Sequence, residues 1–200
     1  MTRKDFRILV ADDDEIARDV INSLLSREGF TIITAKDGLD AIRMLRFEDI
    51  SLVITDLRMP GADGIEVLKQ SVRTNPDVAV VILTAYGTLD TTLEAMKEGA
   101  YDYLTKPFKG QEIIFVVERA YKRALLLQEN KELVKQLRDT YRDIELLRTV
   151  VDKGNPDITA SWIERIERLK TMDVLSEDES HILRERLIRG HGQGANINSR

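Results

Sequence analysis

The chain of 200 residues contains no cysteine. It therefore forms no disulfides or thiolate metal sites, a composition compatible with a reducing cytosol. Long apolar runs are also missing, since the longest one near the start, Ile8 to Ala11, is far too short for a signal peptide or a membrane span. An excess of positive charge is absent too, because the formal net charge is −5, which argues against a broadly cationic nucleic-acid binder. We therefore expect a cytoplasmic protein that has no membrane partner and does not bind nucleic acid.

Five short apolar runs alternate with helical patterns in the first part of the chain. Hydrophobic residues make up 42% and charged residues 32% of the sequence, as in an ordinary globular protein. The apolar runs cover residues 6–11, 31–35, 52–56, 78–84 and 101–105. Strands that alternate with helices require right-handed crossovers, which give a parallel sheet covered on both faces. The pattern predicts an α/β fold with a five-stranded, doubly wound parallel sheet.

The first helical pattern follows the first strand directly. Ile16, Val20 and Leu24 are four residues apart and form one face of a helix that ends near Gly29. Asp14 precedes this helix, and we expect it to cap the helix rather than to bind a ligand.

Polar side chains collect where the predicted strands end. Asp12 and Asp13 follow the first strand, Asp56 ends the third, Thr84 ends the fourth, and Lys106 follows the fifth. Ligands bind at this edge in open α/β sheets, so the five groups should converge there. Three crowded carboxylates repel one another, and Mg²⁺ is the expected counter-charge because it leaves positions open for water and phosphate oxygens. The set suits a phosphoryl group, with Asp56 as nucleophile and with Lys106 and Thr84 neutralising the phosphoryl oxygens.

Four motifs resemble the receiver domain of two-component response regulators. They are Val10-Ala11-Asp12-Asp13-Asp14, Asp56-Leu57-Arg58-Met59-Pro60-Gly61-Ala62-Asp63-Gly64, Thr84-Ala85 and Lys106-Pro107-Phe108, and the match spans roughly residues 4 to 122. The stretch from Ala100 to Phe108 is also similar to receivers of the nitrogen-regulator type. This resemblance implies a flavodoxin-like strand order of 2-1-3-4-5.

The resemblance also implies a role for each acidic residue. Asp56 would accept a phosphoryl group from a histidine kinase. Asp13, Asp56 and the backbone carbonyl of Arg58 would hold Mg²⁺, and Asp12 would contribute through water. We expect a phosphoacceptor rather than an enzyme, whose only activities of its own are Mg²⁺-dependent self-phosphorylation from a small phosphodonor and slow self-dephosphorylation.

Further positions follow from the same resemblance. Thr84 and Tyr103 would form a switch pair, and the Lys106–Pro107 peptide bond would be cis. Arg58 and Tyr86 stand two residues after Asp56 and Thr84, at positions that border the phosphate in this family and influence its lifetime.

A long helix is predicted after residue 110, because neither proline nor glycine occurs from Gln111 to Lys153. From Leu126 the apolar spacing is heptad, with Leu126, Leu133, Thr140 and Leu147 at d and Asn130, Leu137, Ile144 and Val151 at a. Branched residues at a, leucine at d and one asparagine favour a parallel two-stranded coiled coil over residues 123–151, and hence a homodimer. A small bundle and a helix folded back on its own domain stay open as alternatives.

The predicted receiver covers residues 1–122, and the coiled-coil helix is followed by a linker at 152–157. Residues 158–189 then predict a helical hairpin, with Ile158, Trp162, Ile166 and Leu169 on one helix and a capping box at Ser176 to Glu179 opening the next. Within this segment, the stretches Ile163 to Lys170, Val174 to Glu179 and Ile182 to Leu187 resemble the short C-terminal helical hairpin known as SHOCT. Residues 190–200 are rich in glycine and asparagine and are expected to form a disordered tail.

Three functions compete. The first is a phosphorylation-switched protein that signals through dimerisation or an unknown downstream protein, and we favour it. The second is a transcription regulator, which is poorly supported because residues 121–200 carry a net formal charge of only +1. The third is a metal-dependent phosphatase of the haloacid type, which needs a second aspartate where Arg58 stands.

Overall fold

The computed structural model describes residues 1–85, 89–153, 159–172 and 174–189. The chain divides into two compact units, Met1–Glu129 and Asn130–Arg200. The strands are β1 Arg7–Ala11, β2 Thr31–Ala35, β3 Leu52–Asp56, β4 Ala79–Thr84 and β5 Asp102–Thr105. The helices are α1 Glu15–Arg27, α2 Gly38–Phe47, α3 Gly64–Thr74, α4 Leu89–Lys97, α5 Gly110–Lys153, α6 Thr159–Thr171 and α7 Glu177–Arg189. Within these described ranges, no helix has the length and apolar character needed to cross a membrane.

The five strands form one parallel sheet in the order β2-β1-β3-β4-β5. This confirms both the fold class and the predicted strand order. The first, fourth and fifth strands each begin one residue later than predicted, at Arg7, Ala79 and Asp102. The carboxyl ends of β1, β3, β4 and β5 therefore share the edge where the candidate site was expected.

Apolar side chains cover both faces of the sheet. On one face Ile54 and Val81 pack with residues of α1 and α5, and on the other Val53 and Ile82 pack with residues of α2 and α3. All residues of β3 and β4 are buried. This is expected for central parallel strands, because their side chains alternate between two faces that are both covered by helices.

The predicted first helix is confirmed, and Asp14 caps it by accepting a hydrogen bond from the Ile16 backbone N–H. The side that α1 packs against the sheet carries Ile21 and Leu25, which are fully buried. Of the three residues that the four-residue spacing marked, Ile16 is 74% and Val20 is 54% exposed, whereas Leu24 is half-buried and packs against the core.

Helix α5 changes character along its length. Ile113, Val116, Val117 and Ala120 are buried against the sheet, as predicted. Farther along, several apolar side chains lie in the open, with exposures of 66% at Leu126, 58% at Leu133, 49% at Val134, 56% at Leu137 and 64% at Tyr141. The long helix is confirmed, and the heptad residues from 126 to 137 are not packed within the described part of the chain.

The second unit has a small core of its own. Trp162, Ile166 and Leu169 of α6 are buried, and Leu175 and Leu183 pack against them. The predicted capping box is present, because the Glu179 carboxylate accepts hydrogen bonds from the backbone N–H and hydroxyl of Ser176 and the Glu179 N–H donates to the Ser176 hydroxyl. Asp152 and Lys153, the first two residues of the predicted linker, belong to α5, which therefore runs two residues farther than predicted. Ile158, residues 154–157 of the linker and the predicted tail lie outside the described residues.

Candidate phosphoacceptor site

Lys106 connects the two buried aspartates at the carboxyl edge of the sheet. Its Nζ lies 2.6 Å from Asp12 Oδ2 and 2.6 Å from Asp56 Oδ1. Lys106 follows β5, and β4 separates that strand from β3, a span of roughly 10 Å at the usual strand spacing. The long lysine side chain and the Asp56 side chain reach toward each other across this span, so that a compact positive charge lies between the two carboxylates.

Asp12 is completely buried, and each of its oxygens accepts a hydrogen bond. Oδ2 pairs with Lys106, Oδ1 accepts the Asp14 N–H at 3.0 Å, and the backbone carbonyl accepts Nη1 of Arg18 at 2.6 Å. Burial raises the pKa of Asp12 above its ordinary value, and the hydrogen bond from Lys106 offsets only part of this effect. Asp12 is thus a fixed carboxylate with no oxygen left without a donor.

Asp56 ends β3 and keeps a small exposed fraction of 7%. Its Oδ2 accepts the Arg58 backbone N–H at 2.7 Å. The first residue of α3, Gly64, passes so close that a Cβ there would lie 2.4 Å from the Asp56 carbonyl oxygen. Glycine at this position therefore lets the β3–α3 loop fold tightly behind the carboxylate.

The Lys106 ammonium remains charged in this environment. Burial is the largest single influence and lowers its pKa, but the hydrogen bonds with Asp12 and Asp56 outweigh it and raise the pKa overall. The Lys106 backbone N–H donates to the Thr84 carbonyl at 2.7 Å, which ties β5 to the end of β4. The Lys106–Pro107 peptide bond is cis, as the resemblance implied.

Asp13 lies exposed at the start of the loop after β1. Asp12, Asp13 and Asp56 offer the oxygen ligands that Mg²⁺ prefers, and only one ammonium, that of Lys106, lies between the two buried carboxylates. This donor set and its charge fit a divalent cation. Within the described residues, however, no three acidic or histidine side chains are already gathered around one point as a metal site would be.

Thr84 and Tyr103 lie on the same face of the sheet. Thr84 pairs with Thr105 and Ile82 pairs with Tyr103, and alternate residues of a strand share a face. Thr84 is only 2% exposed, whereas the Tyr103 hydroxyl reaches outward to within 3.3 Å of Thr91 Oγ1 on α4. Their role as a switch pair stays a prediction, and Tyr86 lies outside the described residues.

Sequence reasoning missed two residues that shape the site, Arg18 and Thr91. Arg18 acts on a backbone carbonyl, and Thr91 contacts a tyrosine twelve residues away. Neither contact belongs to a sequence motif. Every residue has a backbone carbonyl that can accept a hydrogen bond, and a hydroxyl group can pair with many different side chains. The one sequence signal for the contact of Arg18 with the Asp12 carbonyl was its position in the first turn of α1, six residues after Asp12.

Comparison with known proteins places this chain in a family. The model of the response regulator receiver domain matches residues 8–118. A putative response regulator NtrX-like protein from Rickettsia bellii is 31% identical over 167 residues, which are 80% of this chain and 32% of that protein. The DNA-binding transcriptional regulator NtrC of Escherichia coli is 38% identical over 113 residues, which are 56% of this chain and 24% of that protein. The chain thus spans a third or less of the length of these curated relatives.

Solved structures agree with this assignment. A response regulator receiver domain protein from Clostridium thermocellum is 36% identical, covers 61% of this chain and 98% of its own, and superposes with a TM-score of 0.58. The beryllofluoride-activated NtrC4 receiver domain dimer is 30% identical, covers 58% of this chain and 96% of its own, and gives a TM-score of 0.56. Receiver domains are phosphoacceptors rather than classical enzymes. The chain belongs to the response regulator receiver family, and its residues 8–118 are the receiver domain of a two-component response regulator.

Proposed function

We propose that Asp56 accepts a phosphoryl group from the phosphohistidine of a sensor histidine kinase. The observation that carries this proposal is the contact of Asp56 Oδ1 with Lys106 Nζ at 2.6 Å, at the end of a central strand. Asp12 shares the ammonium but is completely buried with every oxygen engaged, whereas Asp56 is 7% exposed. Asp56 is therefore the carboxylate better placed to meet an incoming phosphorus atom.

The transfer replaces one bond to phosphorus by another. An Asp56 carboxylate oxygen attacks the phosphorus atom, the bond from phosphorus to the imidazole nitrogen breaks, and the freed imidazole nitrogen takes up a proton. Lys106 would pair with phosphoryl oxygens as a point charge, and the Thr84 hydroxyl would hydrogen-bond to them. Tyr103 would complete the switch, while Arg58 and Tyr86 would influence how long the aspartyl phosphate lasts.

Mg²⁺ would be held by Asp13, Asp56 and the Arg58 backbone carbonyl, with Asp12 contributing through water. Bound there, the ion supplies positive charge for the oxygens of the phosphoryl group. The full hydrogen bonding of Asp12 supports its indirect role, and the exposed carboxylate of Asp13 supports a direct one.

Thermal denaturation with beryllofluoride and Mg²⁺ tests this function. A ligand that binds only the folded state stabilises it by mass action, so the receiver should melt at a higher temperature when both are present. Asp56→Asn should lose the shift. Asp19→Asn should keep it, because that substitution changes an equally charged but exposed side chain on α1. A full shift in Asp56→Asn would contradict the assignment.

We further propose that α5 carries the output by pairing with a second copy of the chain as a parallel coiled coil over residues 123–151. Leu126, Leu133 and Leu137 present an exposed apolar stripe, and Asn130 lies within it. An asparagine amide facing its counterpart favours one register and a dimer at a cost in stability. Light scattering should give a dimeric mass, and Asn130→Leu should broaden the distribution of oligomers. A monomeric mass with and without beryllofluoride would contradict dimerisation.

The remaining boundaries belong to the same proposal. Residues 1–122 form the receiver, 152–157 the linker, 158–189 a SHOCT-like hairpin that docks a downstream protein, and 190–200 a tail. Binding of the downstream protein should require the hairpin but not Asp56 itself, while its regulation should require both.

Transcription regulation is the second candidate, favoured by the name of the Escherichia coli relative. The matched part of that relative covers 56% of this chain. Fluorescence anisotropy with random duplex DNA at two salt concentrations separates the candidates, since DNA binding weakens steeply as salt rises. No anisotropy change at low salt would rule this candidate out.

A further inference from the structure

Arg18 holds the acidic loop after β1 at two points. Its Nη1 donates to the Asp12 carbonyl at 2.6 Å, and its backbone N–H donates to the Asp14 carbonyl at 3.1 Å. These carbonyls belong to the residues immediately before and after Asp13. The second bond is the helical hydrogen bond that any residue at this position makes, so only the guanidinium contact with the Asp12 carbonyl depends on arginine, and it ties down the backbone next to the exposed Asp13 carboxylate.

Other contacts make the same loop rigid near Arg18. The Asp14 N–H donates to Asp12 Oδ1, and the Asp14 carboxylate caps α1 by accepting the Ile16 N–H. Three consecutive aspartates would otherwise repel one another, and the Asp13 side chain would have to be oriented when a cation binds. A loop already held in place avoids this cost at the moment of binding.

We infer that Arg18 is a positioning residue for the divalent cation, acting through the backbone on the direction of the Asp13 carboxylate. The inference rests on the proposed function, since it assumes that Asp13 is a ligand of Mg²⁺. Residues that orient metal ligands without touching the metal typically change its affinity by about tenfold or more when they are replaced.

The positive charge of Arg18 would affect Mg²⁺ binding in the opposite direction from its contact with the backbone. The two effects can therefore be distinguished by experiment. A guanidinium beside three aspartates repels a divalent cation, so its removal alone would tighten Mg²⁺ binding. If Arg18 acts by holding the backbone, its removal weakens binding despite the lost repulsion. The sign of the change therefore distinguishes positioning from electrostatics.

Calorimetric titration of the full chain with Mg²⁺ tests the inference. Arg18→Met should bind on the order of tenfold more weakly, and Arg18→Lys, which keeps one donor, should recover most of the loss. Arg27→Met is the matched control, because it removes the same charge from an exposed position in the last turn of α1. It should leave the affinity unchanged. Unchanged or tighter binding by Arg18→Met would overturn the inference.

A measurement without metal completes the test. Amide hydrogen exchange at Asp14 should be faster in Arg18→Met than in the wild type, and equal rates would contradict the holding role. If Arg18→Met does not fold, Arg18→Gln serves instead, since glutamine is a good helix former without charge. A wild type that binds no Mg²⁺ would refute the proposed function, whereas equal affinities of wild type and variant would refute only the role of Arg18.

Discussion

The receiver and the C-terminal hairpin bury apolar side chains on very different scales. In the receiver, a five-stranded sheet is packed on both faces, and every residue of the central strands β3 and β4 is buried between the two layers. In the hairpin, two helices enclose a core of Trp162, Ile166 and Leu169, with Leu175 and Leu183 beside it. Because stability grows with the apolar surface removed from water, the receiver should hold its shape independently, while the hairpin should open easily.

The two regions also differ in where they keep their charges. The receiver buries Asp12 and Asp56 at one sheet edge with Lys106 between them. The described ion pairs of the hairpin, such as Lys170 with Glu177, involve partly or largely exposed side chains. Buried carboxylates cost stability, so the receiver retains a destabilising feature at its proposed site that its large core can support. The small core of the hairpin would not supply enough stability to support a similar group of buried charges.

Substitution of one fully buried isoleucine in each region should show the largest difference in stability between the receiver and the hairpin. Ile82 in β4 and Ile166 in α6 are both fully buried, and replacing either with alanine should cost about 2–5 kcal/mol of local packing. Ile82→Ala should lower the unfolding free energy of the receiver and weaken beryllofluoride binding. Ile166→Ala should open only the hairpin.

Trp162 makes this difference measurable, because it is the single tryptophan of the chain and lies in the hairpin core. Its fluorescence should report hairpin unfolding at a lower urea concentration than circular dichroism reports for the receiver. Coincident transitions in the wild type, or a receiver destabilised by Ile166→Ala, would show that the regions unfold as one unit.

Two glycines sharpen the comparison within the receiver. Gly64→Ala places a Cβ 2.4 Å from the Asp56 carbonyl oxygen, which should cost about 1–3 kcal/mol and displace the Asp56 carboxylate. Gly29→Ala meets no atom within 4 Å but sits at a φ of +88°, which should cost about 1–2 kcal/mol. Denaturant unfolding should show similar losses. Only Gly64→Ala should also lose the beryllofluoride shift. A loss of that shift in Gly29→Ala would show that destabilisation alone, without a clash at Asp56, abolishes binding.

The fold and most site residues of the receiver were predictable from its sequence. The features that were not predicted depend on contacts between residues that are distant in the sequence or made by the backbone. Strand ends and helix caps are local, so Asp14, Asp56 and Lys106 fall where their neighbours in sequence place them. The outward face of α1 was less accessible to such reasoning, because a helix with two adjacent apolar stripes buries the one that the sheet happens to meet. Backbone contacts, such as that of Arg18 with the Asp12 carbonyl, leave no pattern in side-chain types.

Asp12→Asn should stabilise the receiver at neutral pH. Burial raises the pKa of Asp12 above its ordinary value of 3.8, so the folded state binds a proton more readily than the unfolded state. The resulting penalty is present at neutral pH and disappears as the pH falls through the raised pKa toward 3.8. Melting temperatures should therefore be higher for Asp12→Asn at pH 7, with the gap closing in acid. A lower melting temperature at pH 7 would show that the lost hydrogen bond with Lys106 dominates.

Ser176→Ala should have the smallest effect and should confine it to the hairpin. It removes the hydroxyl that accepts the Glu179 N–H and donates to the Glu179 carboxylate, so the first turn of α7 loses its cap. The Trp162 fluorescence transition should move to a slightly lower urea concentration. The receiver transition should stay in place, and a shift there would contradict the independence of the two regions.

The central claim is that Asp56 is the phosphoacceptor, and intact-mass measurement after incubation with Mg²⁺ and acetyl phosphate tests it most directly. The account predicts one added phosphoryl group of about 80 Da on the wild type and on Asp19→Asn, none on Asp56→Asn, and loss of the added mass in mild alkali, as expected for an acyl phosphate. Asp56→Asn that gains the phosphoryl group as fully as the wild type would contradict the account.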